Sequence, residues 1–89
     1  MLTVLGEVVG MEVDPQLRDR SRRWLVTLRV REVLAGQLPD DEAQVVLLAH
    51  SPARDFRASD PVGRAYEVSF HGTFEQPYTG DYTIRPASV

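Results

Sequence analysis

Alternating apolar and polar positions mark strands along most of this chain. From Trp24 the period is two: Trp24, Val26, Leu28 and Val30 fall on one parity, and Leu25, Thr27, Arg29 and Arg31 on the other. Successive strand residues point to opposite faces, so this run predicts a half-buried strand with its even positions inward. The pattern is clearest between Tyr66 and Glu75. There Tyr66, Val68, Phe70, Gly72 and Phe74 share one face, and Glu67, Ser69, His71, Thr73 and Glu75 share the other. Gly72 leaves a gap in an aromatic stripe, which marks a sharp coil of the sheet or the close pass of another strand. Tyr82 and Ile84 point inward from a last strand, opposite Thr83 and Arg85, and the tail 86–89 is expected to fray.

The remaining runs are less regular. Within Leu2 to Val13, Val4, Gly6 and Val8 suggest one register, while Val9, Met11 and Val13 suggest the opposite one. A β-bulge near Gly10 would switch the face. A polar connection follows from Asp14 to Arg22, opened by Pro15. Glu32-Val33 breaks the alternation of the second strand and predicts another bulge, and Ala35-Gly36 closes it. The third strand, about Gln44 to His50, is apolar on both parities, as in a central strand or a barrel corner; Val46 and Leu48 are assigned to the core. Ser51 to Phe56 predicts one helical turn, with Ser51 as N-cap and Pro52 at the first helical position, where its missing N–H costs nothing. Pro77 to Gly80 reads as a turn with Gly80 in a permissive backbone position.

Five strands leave little of 89 residues for helices, and the aromatic stripe needs a facing layer. A closed small barrel supplies one and hides the sheet edges. The run from Trp24 to Gly36, with Val4-Leu5-Gly6-Glu7-Val8 before it and Tyr66-Glu67-Val68 after it, resembles small OB-fold-like barrel domains at the superfamily level. The expected fold is therefore all-β: a single domain over residues 1–89, a five-stranded OB-like barrel with Greek-key connectivity and one short helical turn between strands three and four. An SH3-like barrel or a small sandwich would use similar strands. The expected core is Val4, Val8, Trp24, Val26, Leu28, Val30, Val46, Leu48, Tyr66, Val68, Phe70, Phe74, Tyr82 and Ile84.

Composition changes this picture mostly by exclusion. Cysteine is absent, which removes disulfides, thiolate nucleophiles and cysteine-based metal sites. The longest apolar run, Val45 to Ala49, is far too short to cross a bilayer, so no membrane role is expected. The first residues lack the basic-then-apolar pattern of a signal peptide, and the expected location is cytoplasmic. All ten basic residues are Arg; with 13 acidic residues the formal charge is −3.

Catalysis has no constellation to carry it. His50 and His71 are the two imidazoles. His50 ends an apolar strand and reads as structural. His71 lies four residues from Glu67 and from Glu75, roughly 13 Å along a strand, too far to share a metal. Asp40-Asp41-Glu42 lacks calcium-loop spacing and reads as a solvated turn. The chain is expected to be no enzyme, with no catalytic residue, no metal and no cofactor. The expected function is a noncatalytic β-barrel module for protein interaction or self-association. The alternative is single-stranded nucleic-acid binding through an Arg18–Arg31 face made of Arg18, Arg20, Arg22, Arg23, Arg29 and Arg31, a segment that carries a local positive excess. Strand binding also asks for exposed aromatic rings, and most rings here lie on inward parity. Phe56, expected to cap the barrel end, and Tyr78, beside Gly80, are the aromatic candidates for the binding surface.

Overall fold

The computed structural model describes residues 1–13, 23–38 and 43–87. Five strands, β1 (Leu2–Val13), β2 (Trp24–Ala35), β3 (Gln44–Ala49), β4 (Ala65–Phe70) and β5 (Tyr82–Pro86), form one antiparallel sheet in the order β3-β2-β1-β4-β5. A single helical turn, α1 (Pro52–Asp55), connects β3 to β4. The fourth strand returns beside the first after a three-strand meander, which is a Greek-key route.

The sheet is open, and the expectation of a closed OB-like barrel is corrected. Closure would need a ladder joining the two edge strands. Among the described residues β5 pairs with β4 and β3 pairs with β2. The seam between those edges is spanned by one parallel bridge, Leu47 to Tyr78. There the Tyr78 N–H donates to the Val46 carbonyl at 2.8 Å and the Leu48 N–H to the Tyr78 carbonyl at 2.9 Å. β5 begins four residues beyond Tyr78, so the bridge is not extended along it. The resemblance to OB-fold-like barrels, and the function of a barrel module inferred from it, do not survive this finding.

The inner face follows the alternation in most strands. Val4, Val8, Val26, Leu28, Tyr66, Val68 and Phe70 are buried, and they meet in one cluster with Leu2, Phe56 and Tyr78. Gly6 sits on this face because a Cβ there would lie 3.3 Å from Leu28 Cβ. The register of β1 against β2 shifts between Val8 and Gly10, where the bulge was expected. Two further shifts, between Leu5 and Gly6 and between Thr3 and Val4, leave Arg31 and Leu34 without direct partners in β2 and flank the expected bulge at Glu32-Val33.

Several core expectations are corrected. In β3 the buried residues are Val45, Leu47 and Ala49; Val46 and Leu48 are only partly buried. The run is apolar on both parities, so alternation could not choose the face; the pairing of Leu47 with Val26 and of Val45 with Leu28 sets it. β4 stops at Phe70, and Phe74 lies beyond it with its ring 5.2 Å from that of Phe70. Trp24, Val30, Phe74, Tyr82 and Ile84 pack against the core but stay partly exposed. Ser51 makes no side-chain cap bond, and α1 is held by backbone bonds such as Phe56 N–H to the Pro52 carbonyl at 2.8 Å. Gly80 does not have positive φ; what requires glycine there is the Tyr78 phenol, whose oxygen is 2.8 Å from where a Cβ would stand. No helix among the described residues is long and apolar enough to cross a membrane.

Candidate functional site

Beside the single bridge, the seam opens into a cleft of about 330 Å³. Five segments build it. The β2–β3 register pairs Trp24 with Ala49, so Arg23, just before β2, and His50, just after β3, come to its rim together. α1 supplies Arg54 and Asp55. The segment after Tyr78 supplies Thr79 to Asp81, and β5 supplies Tyr82.

Tyr78 fixes that segment. Its ring is fully buried, edge-on to Phe70 at 4.8 Å and stacked near Phe74 at 6.0 Å. Its hydroxyl accepts from the Gly72 N–H at 2.9 Å and donates to the Asp81 carbonyl. The cleft wall is therefore tied to the core through this side chain, and the His71 N–H also donates to the Asp81 carbonyl at 3.1 Å.

The floor is polar and internally bonded. The Tyr82 hydroxyl donates to Asp55 Oδ2 at 2.8 Å, and Arg54 Nε donates to Asp55 Oδ1 at 3.4 Å. Both oxygens of that carboxylate thus have donors. Burial, then the hydrogen bond to Asp55 and its negative charge, push the Tyr82 phenol well above the usual tyrosine range, against the opposing effect of Arg54. Tyr82 is consequently a neutral donor at physiological pH. Arg23 differs from these groups: its Nε is buried without a hydrogen-bond partner among the described residues. A buried polar group left unpaired calls for an explanation, and here it lies beside a cavity.

The residues expected from sequence to form one binding surface are not gathered. Arg23 reaches the cleft. Arg29 and Arg31 are exposed on β2, and Arg29 stands opposite Glu7 in the ladder. Arg31 forms an ion pair with the same Glu7, so an acidic side chain sits within the expected cationic face. Arg18, Arg20 and Arg22 lie outside the described residues, as does the acidic turn Asp40-Asp41-Glu42. Phe56 and Tyr78 are each 1% exposed, which corrects their place as surface aromatics. Phe56 instead packs edge-on against Tyr66 at 4.9 Å. His50, expected to be structural, is exposed at the cleft rim. His71 bonds through Nε2 to Thr83 Oγ1 at 2.6 Å, across from β5. Among the described residues, no three His, Asp or Glu side chains converge as metal ligands would.

Sequence reasoning missed Arg54, Asp55, Asp81 and Tyr82 as site residues. They come from α1, a loop and the last strand, with no spacing that links them; the adjacency of Arg54 and Asp55 was visible, but nothing pointed it at Tyr82. Comparison with protein-family models, with curated proteins and with solved structures finds no match to this chain.

Proposed function

We propose that this all-β domain is a noncatalytic binding domain whose site is the seam cleft, and that its ligand presents an anionic group to Arg23. The observation that carries the reading is Arg23 at the cavity wall, its Nε buried without a partner among the described residues. A guanidinium offers a planar fork of donors matched to carboxylate or phosphate oxygens. Leaving a buried donor unpaired costs about 1–3 kcal/mol, and the guanidinium's outer nitrogens are the donors that a ligand in the cleft would engage. Among the described residues, Asp55 accepts from Arg54 and Tyr82.

The test is an amide NMR titration with inorganic phosphate and with acetate, on the wild type and on Arg23→Gln. Saturable shifts at His50 and Thr79 to Tyr82, lost in R23Q with the fold intact, support the site. Flat spectra with both anions at tens of millimolar remove it.

A protein partner or self-association is a second reading, favoured by the exposed apolar side chains Met1 (74%), Val33 (39%) and Leu34 (46%). They lie at the end of the β1–β2 ladder away from the cleft, since Val33 pairs with Val4 while Arg23 precedes the other end of β2. Sedimentation equilibrium over rising concentration checks the self-associating form; a constant monomer mass for wild type, matched by Leu34→Ser, argues against it.

A further inference from the structure

A second cleft, of about 350 Å³, shares His50 as a lining residue with the first. Its character differs. Met11 and Trp24 form one wall, and Pro52 and Ala53 at the start of α1 form another. The β1 bulge after Val8 brings Met11 opposite Val26 in the ladder, two residues along from Trp24, so thioether and indole stand on one side of the sheet. Both side chains are only partly buried, and Ala53 leaves its wall low because it ends at Cβ.

Taken together, the two clefts fall in the size range of sites for small organic ligands, roughly 300–1,000 Å³, which combine an apolar lining with a few placed polar groups. Resting on the seam reading, we propose that the ligand is an aromatic ring bearing a carboxylate or phosphate group, its anion at Arg23 and its ring on the Met11–Trp24 shelf. An indole offers its face or edge to a second ring, and a methionine sulfur makes favourable contacts with ring edges and adapts to their shape. The cationic part alone would accept any small anion; the shelf is what selects a ring.

The chain has one Trp, so its fluorescence reports occupancy of the shelf. The experiment compares phenyl phosphate, cyclohexyl phosphate and methyl phosphate, then benzoate and acetate, by Trp24 fluorescence and by amide NMR at Thr79 to Tyr82. Phenyl phosphate is expected to bind at least tenfold more tightly than methyl phosphate, with a change in Trp24 emission that methyl phosphate does not produce. The better of benzoate and phenyl phosphate identifies the anion. In Ala53→Gln, an exposed position where a longer side chain occupies the shelf, the ratio of phenyl to methyl affinities should fall toward one. Equal affinities for phenyl and methyl phosphate, with amide shifts still present, overturn the ring assignment while the anion site stands. Equal affinities for phenyl and cyclohexyl phosphate overturn its aromatic character. An absence of amide shifts with every ligand removes the anion site and this inference with it.

Discussion

Removing one oxygen atom from Tyr78 tests how the seam is held. Tyr78→Phe retains the ring contacts to Phe70 and Phe74 and both backbone bonds to β3. It deletes the hydroxyl that accepts from Gly72 and donates to Asp81. The partly buried Gly72 N–H loses its partner, while the Asp81 carbonyl keeps the His71 N–H at 3.1 Å. With about 1–3 kcal/mol for a buried group left unsatisfied, and some access of water here, the expected loss is about 1–2 kcal/mol. A domain of this length has roughly 4–13 kcal/mol of stability in total, and each kcal/mol moves its Tm by about 4–8 °C. Urea unfolding followed by Trp24 fluorescence gives the difference, with an unchanged m-value showing that the same surface unfolds. Tyr78→Ala adds loss of the ring and should cost about 3–5 kcal/mol. Gly80→Ala approaches the same contact from the other side. Its Cβ would stand 3.0 Å from the ring carbon that carries the hydroxyl, and a fully buried ring has little room to retreat, so a loss of about 1–3 kcal/mol is expected. If Y78F stays within about 0.5 kcal/mol of wild type, the hydroxyl is not holding the loop and the account of the cleft wall fails.

The face of β3 is tested by Leu47→Ala against Leu48→Ala. Leu47 is fully buried and should cost about 2–5 kcal/mol, while the partly exposed Leu48 should cost clearly less; the reverse order would restore the alternate register. Tyr82→Phe is tested by pH. The phenol is raised in the folded chain above its unfolded value near 10, so its contribution is fully present below about pH 10 and is lost as pH rises through the folded value. Urea midpoints between neutral pH and pH 11 should fall more steeply for wild type than for Y82F, and parallel curves would show that folding does not raise the phenol.

What could be read from sequence depended on whether a strand had one wet face. β2 and β4 do, and Val26, Leu28, Tyr66, Val68 and Phe70 were placed inward by parity alone. β3 is apolar on both parities, so the same rule had nothing to act on and Val46 and Leu48 were chosen wrongly. The Gly10 bulge was legible because the apolar parity changes across it. Closure was not legible. It depends on whether two edge strands find a common register, a property of the pair that neither strand shows in its own periodicity. The aromatic stripe asked for a facing layer, and Phe56 from beyond α1 and Tyr78 from a loop supply it; both stand in connections where a period of two does not apply. Of the site, Arg23 alone was among the candidates, and there as one of a cationic run, not as the neighbour of His50 across a ladder.

The unclosed edge explains why the site is where it is. Had β3 and β5 paired along their length, backbone amides and carbonyls would have satisfied one another across the seam. One bridge at Leu47 and Tyr78 leaves the rest of the gap to side chains. Among the described residues the polar ones there satisfy each other only in part: Asp55 is matched by Tyr82 and Arg54, while Arg23 Nε has no partner. The buried apolar cluster is built from side chains other than this guanidinium. A neutral, shorter side chain at position 23 should therefore leave stability unchanged or raise it, by relieving the buried donor, while abolishing anion binding. That opposition of signs separates a group retained for binding from one retained for folding. Arg23→Gln that lowers stability by more than about 1 kcal/mol would place Arg23 among the folding determinants and weaken the case for the cleft.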